Sequence, residues 1–120
     1  MSDLVNMHIS KAAKDVADQM VNTGLFVHAS TAAKFALAYA IKNHFDEIDP
    51  ATYPIPESDG STNYSQGTID PDGQIAALLK ALYPGITTPY FYARALMVFG
   101  LLKLGERIDR EGLNSISALL

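Results

Sequence analysis

The chain of 120 residues has the length of a single domain, and its composition excludes several classes of function. It contains no cysteine, which excludes disulfides, thiolate metal sites and cysteine nucleophiles together. The net charge of −4 argues against a non-specific binder of polyanions, because such proteins are normally basic over their contact face. The hydrophobic share of 48% is high for so short a chain, so we expect part of the apolar surface to lie between subunits.

The charge is unevenly distributed along the chain. Residues 1–45 carry four lysines against three aspartates, together with all three histidines, whereas the remainder carries five bases against ten acids. The sequence therefore predicts that any nucleic-acid surface lies in the first third of the chain. The first residues include Asp3 and no long apolar run, so we expect no signal peptide. No stretch approaches the roughly 20 apolar residues of a membrane span. We therefore expect a cytoplasmic protein without membrane contact.

The first predicted elements are a strand and a helix. Residues 4–9 alternate between apolar and polar side chains, with Asn6 and His8 as the polar members, which is typical of a half-buried strand. No second strand pattern follows nearby, so this strand is predicted to pair with another chain or to be an extended tail. Ser10 is a favourable N-cap for a helix over residues 11–22.

A second helix completes the first third of the chain. Gly24 ends the first helix in the left-handed conformation, and Ser30 or Thr31 is predicted to cap a helix that runs to about Phe45. Residues 1–45 therefore form a strand, helix, helix unit.

Residues 46–73 contain four prolines and three glycines and are predicted to form a long loop that is functional, packed as a lid or disordered. Residues 74–120 are predicted to form a helical hairpin. Its first helix runs from Gln74 to Tyr83, and its second starts at Pro89 after a Thr88 cap. From Ala95 to Leu104 the second helix is apolar nearly all round, as expected for a central or interfacial helix, and we expect an oligomer. The predicted fold is a single, mainly α domain: a short N-terminal strand followed by a helix bundle.

The strand, helix, helix unit resembles a ribbon-helix-helix module. In that module two chains pair their strands into a ribbon that lies in the DNA major groove. The resemblance implies that Asn6 and His8 face the bases, and that Val5, Met7 and Ile9 face the core.

The positions of three lysines point to an anion nearby. Lys11, Lys14 and Lys34 lie in or next to the first turns of the two helices, where a cation opposes the positive end of the helix dipole by a few tenths of a kcal/mol. A bound phosphate would relieve this opposition, and Ser30 and Thr31 at the second helix start complete the predicted DNA-binding residues. The alternative is that exposed lysines cost too little to matter.

The sequence offers no local constellation of catalytic residues. The three histidines are not spaced to share one helix face, and no phosphate-binding glycine loop, nucleophile elbow or zinc-protease motif is present. We therefore predict a binding protein without a catalytic residue, metal or cofactor.

Over its whole length the chain is similar to the DndE family of DNA sulfur modification (phosphorothioation) proteins. The similarity begins with the strand and ISKAAKDVADQM, continues through Thr23-Gly24-Leu25 and a loop with SDGS and NYSQGT, and closes with IAALLKAL and ARALMVFGLLKLGERI. Where DndE-like chains commonly carry a cysteine-arginine pair, this chain has Ala33-Lys34. The resemblance implies a small, helical, oligomeric, DNA-associated subunit of a modification complex with further protein subunits.

Two other functions fit the same patterns. A transcriptional repressor or antitoxin would use the ribbon to bind operator DNA. A purely structural subunit would use its apolar helices for assembly and bind no nucleic acid.

Overall fold

The structure is a computed structural model that describes residues 2–55 and 63–120, so the middle of the predicted long loop, with Pro56 and Gly60, lies outside the described residues. The described part is mainly helical with one short strand pair, which confirms the predicted fold class. In chain order its strands and α-helices are β1 (Asn6–His8), α1 (Lys11–Asn22), α2 (Ala29–His44), β2 (Asn63–Ser65), α3 (Gln66–Ile69), α4 (Gln74–Leu82), α5 (Pro89–Glu111) and α6 (Leu113–Ser117).

Helix α1 begins and ends as predicted. The Ser10 hydroxyl accepts a hydrogen bond from the Ala13 amide at 3.2 Å, which satisfies one of the first-turn donors that have no helical partner. At the other end Gly24 takes a φ of +87°, in the left-handed region that glycine adopts without a steric penalty.

Helix α2 begins earlier than predicted, and neither Ser30 nor Thr31 is its cap. The N-cap residue is His28, whose backbone is extended and whose side chain makes no capping hydrogen bond. The reason lies in the preceding turn, because the amides of Leu25 and Phe26 bond back to the Met20 carbonyl and bring the chain to the start of α2 within a few residues. Ser30 and Thr31 consequently lie inside the first helical turn.

Helix α5 is the centre of the molecule. It is 23 residues long and packs against α1, α2, α4 and α6. The side chains from Ala95 to Leu101 are all at most 8% exposed, so the apolar stretch is buried by its own chain. Of the two alternatives predicted for this helix, it is therefore the central one, and it needs no partner chain to cover it. The oligomer stays a prediction.

The closest approach in the core is between α2 and α5. A Cβ added to Gly100 would overlap the Ala36 carbonyl oxygen and stand 2.6 Å from its carbonyl carbon, so the two backbones touch directly. One and a half turns later, a Cβ on Gly105 would stand 2.7 Å from a methyl of Val16 in α1. Small residues on α5 thus allow two helices to pack against it at short distance.

The strand expected to pair with another chain pairs within its own chain. β1 lies antiparallel to β2, with Met7 opposite Tyr64. The Gln66 amide donates to the Val5 carbonyl, and the Gln66 side chain donates to the Leu4 carbonyl at 2.6 Å. The second strand is three residues long, too short to show an alternating pattern, which explains why the sequence did not reveal it.

Two aspartates from outside the helices accept hydrogen bonds from the backbone amides at the starts of α4 and α5. The Asp3 carboxylate accepts from the amides of Tyr90 and Phe91 at 2.9 Å each. The Asp70 carboxylate accepts from the amides of Ile75 and Ala76 at 2.9 and 3.0 Å, and from the Tyr90 hydroxyl at 2.8 Å. The predicted cap of α5, Thr88, is its N-cap residue but makes no side-chain cap bond.

The segment predicted as a loop over residues 46–73 is partly structured. It contains a 3-10 turn at Phe45–Glu47, β2 and α3, and Ile69 is 1% exposed. Residues 63–73 therefore pack on the helices rather than connect them loosely.

We predict that Gly100→Ala lowers the free energy of unfolding by about 3 kcal/mol, because the added methyl must push α2 and α5 apart against a packed core. Urea denaturation followed by circular dichroism measures this. Gly67→Ala is the matched control, since Gly67 lies in α3 with open space around its Cα, and this change should leave stability equal or raise it by up to about 1 kcal/mol. Equal losses in both variants would contradict the close contact.

A second prediction concerns acid stability. Burial is the largest influence on Asp70 and raises its pKa, but the bonds from Ile75, Ala76 and Tyr90 together outweigh it and hold the pKa below the ordinary 3.8. Because the folded pKa is the lower one, Asp70 contributes stability above its unfolded pKa, and this contribution is lost as pH falls through the folded pKa.

The loss of stability between about pH 5 and pH 2 should therefore be shallower in Asp70→Asn than in the parent, as measured by urea denaturation at several pH values. Asp72→Asn removes an exposed carboxylate outside this hydrogen-bond network and controls for the change in net charge. If the free energy of unfolding of Asp70→Asn falls with pH as steeply as that of the parent, Asp70 is not the source of this acid sensitivity.

Candidate nucleic-acid interface

The outer face of the strand pair is polar. Met7 and Ile9 are fully buried as predicted, while Asn6 is exposed and His8 is half-buried. Residues directly opposite each other in an antiparallel pair share one face, so Ser65 and Asn63 lie on the same side as Asn6 and His8. The sequence did not indicate these two additional polar residues, because their strand was not recognised.

Val5 does not face the core. Its side chain is 70% exposed, contrary to the alternation that placed it with Met7 and Ile9. The residue precedes the paired part of β1, and its backbone carbonyl is held by the amide of Gln66. Val5 therefore adds an apolar group beside the polar strand face.

Lys11 and Lys14 lie in the first turn of α1 and each forms an ion pair one turn along the same helix. Lys11 pairs with Asp15 at 3.3 Å and Lys14 with Asp18 at 2.6 Å. The hydrogen bond with Asp18 is the main reason why the pKa of Lys14 is raised. Exposed pairs of this kind contribute little to stability, so a phosphate can compete for either lysine, but the first turn of α1 is less positive than the lysines alone suggest.

The position of Lys34 near a helix start suggested an exposed side chain, but the side chain is half-buried. It lines an open groove of about 250 Å³ between α2 and the turn that joins α3 to α4, which also includes Asp70 and Asp72. Both oxygens of Asp70 already accept hydrogen bonds, whereas Asp72 is exposed. Lys34 therefore has acidic neighbours that the sequence did not reveal, because they are far away along the chain.

The start of α2 differs from the other long-helix starts. α1 is capped by Ser10, α4 by Asp70 and α5 by Asp3. Among residues 2–55 and 63–120, no side chain caps α2, and its first turn contains no acid. That turn instead carries the hydroxyls of Ser30 and Thr31, so it combines the positive end of a 16-residue helix with two neutral donors.

The predicted residues form two patches rather than one. Asn6, His8, Lys11 and Lys14 lie around β1 and the start of α1, while Ser30 and Thr31 lie beyond the end of α1. Helix α1 has 12 residues and is therefore about 18 Å long, so the two patches could contact different phosphates of one duplex.

Comparisons with family models, curated proteins and solved structures found no match for this chain. In the described ranges, no group of three or more histidine, aspartate or glutamate side chains is placed to hold a metal ion. No helix described there has the length and apolar character needed to cross a membrane.

Because α2 has an empty capping position, a small polar residue there should stabilise the fold. We predict that His28→Ser raises the free energy of unfolding by about 1 kcal/mol, because its hydroxyl can accept from an unsatisfied first-turn amide. Ser30→Ala tests the other candidate cap and should change stability by less than about 0.5 kcal/mol. If Ser30→Ala is the costly change in chemical denaturation, the helix begins at the position expected from sequence.

Proposed function

We propose that this chain is a small, cytoplasmic, DNA-associated subunit of a DNA modification system of the phosphorothioation type, and that it acts by binding rather than catalysis. The observation that supports this most directly is the start of α2, a positive helix end with no capping side chain and no carboxylate in its first turn. Helix starts of this kind bind phosphates through their free amides. The modification system, the oligomeric state and the further subunits follow from the resemblance of the sequence to DndE-like chains.

The DNA contact that we propose has a main and an accessory part. The amide of Ser30 and the hydroxyls of Ser30 and Thr31 would hold one phosphate, with Lys34 supplying charge from the next turn, because the Thr31 amide already donates to the His28 carbonyl at 3.1 Å. Lys11 and Lys14 would contact other phosphates of the same duplex by exchanging their aspartate partners. Asn6 and His8 would lie nearest the bases. Phosphate contacts of this type position the protein, and only the strand face would read sequence.

Two substitutions at His28 separate the charge effect from the stability effect. His28→Ser and His28→Asp both supply a capping oxygen and should stabilise α2, but only aspartate adds a negative charge to the proposed phosphate site. We expect His28→Asp to weaken binding to duplex DNA about fivefold or more, measured by fluorescence anisotropy at low salt, and to weaken it more than His28→Ser, whose neutral hydroxyl competes with the phosphate for the same amide but does not repel it. Equal binding by both variants would contradict a phosphate at this helix start.

Lys34→Glu should weaken binding to all DNA sequences alike and reduce the slope of log affinity against log salt by about 0.9 or more, because it removes one phosphate contact and adds repulsion. Lys80→Glu, an exposed change of the same charge on α4, is the matched control. Titrations of duplex, nicked and single-stranded probes at two salt concentrations measure both quantities. If Lys34→Glu and Lys14→Glu both retain the parent affinity and salt slope, the proposed contact is wrong.

The purely structural subunit is a second candidate, and the ion pairs of Lys11 and Lys14 favour it because they lower the positive charge available to DNA. Absence of salt-sensitive binding to every DNA probe would support this candidate. The repressor alternative needs two chains that pair their N-terminal strands with each other, whereas β1 is already paired on one edge by β2.

A further inference from the structure

The outward face of α2 forms an open apolar groove with the last residues of the chain. Phe35, Ala38 and Tyr39 provide its floor, Leu119 closes one side, and the cavity measures about 210 Å³. Ala38 is exposed and Leu119 is 37% exposed, and the neighbouring Leu120 is 61% exposed. This surface is separate from the start of α2 proposed above to bind phosphate.

The polar groups at the rim of this groove are basic or neutral. Lys42 and Asn43 line it directly, and Lys42 forms no ion pair within the part of the chain that the structure describes. Behind the floor, Arg107 donates a hydrogen bond to the Tyr39 hydroxyl at 3.4 Å, and its own partner is Glu111. None of the described residues that line the cavity carries a carboxylate.

We infer that this groove docks an acidic amphipathic helix of a protein partner, with an apolar side chain seated between Phe35, Ala38 and Leu119 and a carboxylate beside Lys42. An apolar cavity of about 150 Å³ accepts a benzene-sized group, so 210 Å³ has room for one leucine or phenylalanine side chain. Such a buried anchor, with a charge pair at the rim, is the usual arrangement of a protein interface.

The same features argue against other occupants of this surface. DNA is bound mainly through its phosphates, and a groove with an apolar floor and one lining lysine offers few phosphate contacts. A partner helix instead matches both parts of the groove, since residues one turn apart on a helix present an apolar side chain and a carboxylate to the same side.

The experiment is a titration of the isotope-labelled full chain with two synthetic amphipathic peptides, followed by amide NMR shifts. The peptides share leucines at positions i and i+4 and differ only in flanking residues, which are glutamates in one and lysines in the other. We expect the acidic peptide to shift the amides of residues 35–43 and of Leu119, and to bind roughly two- to fivefold more tightly than the basic peptide, as one exposed ion pair allows.

Three variants test the residues of the groove. Lys42→Glu should reverse the preference between the two peptides, whereas Lys80→Glu, whose residue does not line the groove, should leave it unchanged. Ala38→Glu places a charge on the exposed floor and should abolish the shifts caused by the acidic peptide, and the amide spectrum of the free variant reports whether it is folded.

Several outcomes would overturn the proposal. One is the absence of shifts in residues 35–43 with the acidic peptide at millimolar concentration, and another is a preference that Lys42→Glu does not alter. Concentration-dependent shifts of these residues without peptide would identify a second copy as the occupant. Shifts of the same residues with a DNA duplex would assign the groove to nucleic acid.

Discussion

The direct contact between the backbones of α2 and α5 is the constraint on which the rest of the structure depends. Gly100 has no side chain and Ala36 has only a methyl, so the two helices approach until the Ala36 carbonyl meets the Cα of Gly100. With this distance set, α5 can be enclosed on its other sides by α1, α4 and α6. The enclosure explains why a helix that is apolar nearly all round needs no second chain to cover it, and why the free surface of α2 is left on its opposite side.

Local patterns predicted the elements of this fold well, and contacts between distant residues account for what they missed. The Ser10 cap and the Gly24 turn depend on neighbours within a few residues, and both are confirmed. The pairing of β1 with β2 joins residues nearly sixty positions apart. A three-residue strand is also too short to show an alternation of apolar and polar side chains. The start of α5 was assigned to Thr88, but its donors are satisfied by Asp3, which no local rule connects to that helix.

The same distinction applies to the candidate site. Composition along the chain indicated the residues in its first third, and their positions at helix starts follow from local spacing. Their electrostatic surroundings do not, because Lys34 lines one groove with Asp70 and Asp72 only after the chain has folded. The lack of a capping side chain at α2 also could not be predicted, since Ser30 and Thr31 are both good capping residues and the helix begins just before them. What distinguishes this helix start is therefore a consequence of how the preceding turn is tied to α1.

The hydrogen bonds from the start of α5 to Asp3 span 87 and 88 residues, about three quarters of the chain. During synthesis, Asp3 leaves the ribosome early and its two amide donors emerge late, at a rate of about 5–20 residues per second. For several seconds the N-terminal segment therefore lacks its final hydrogen-bond partners, and β1 lacks β2, because these residues have not yet been synthesised. Helical proteins usually fold quickly because their contacts are local, but these long-range contacts raise the average separation between contacting residues. The N-terminal segment should consequently join the start of α5 late, after the α1 and α2 pair has formed.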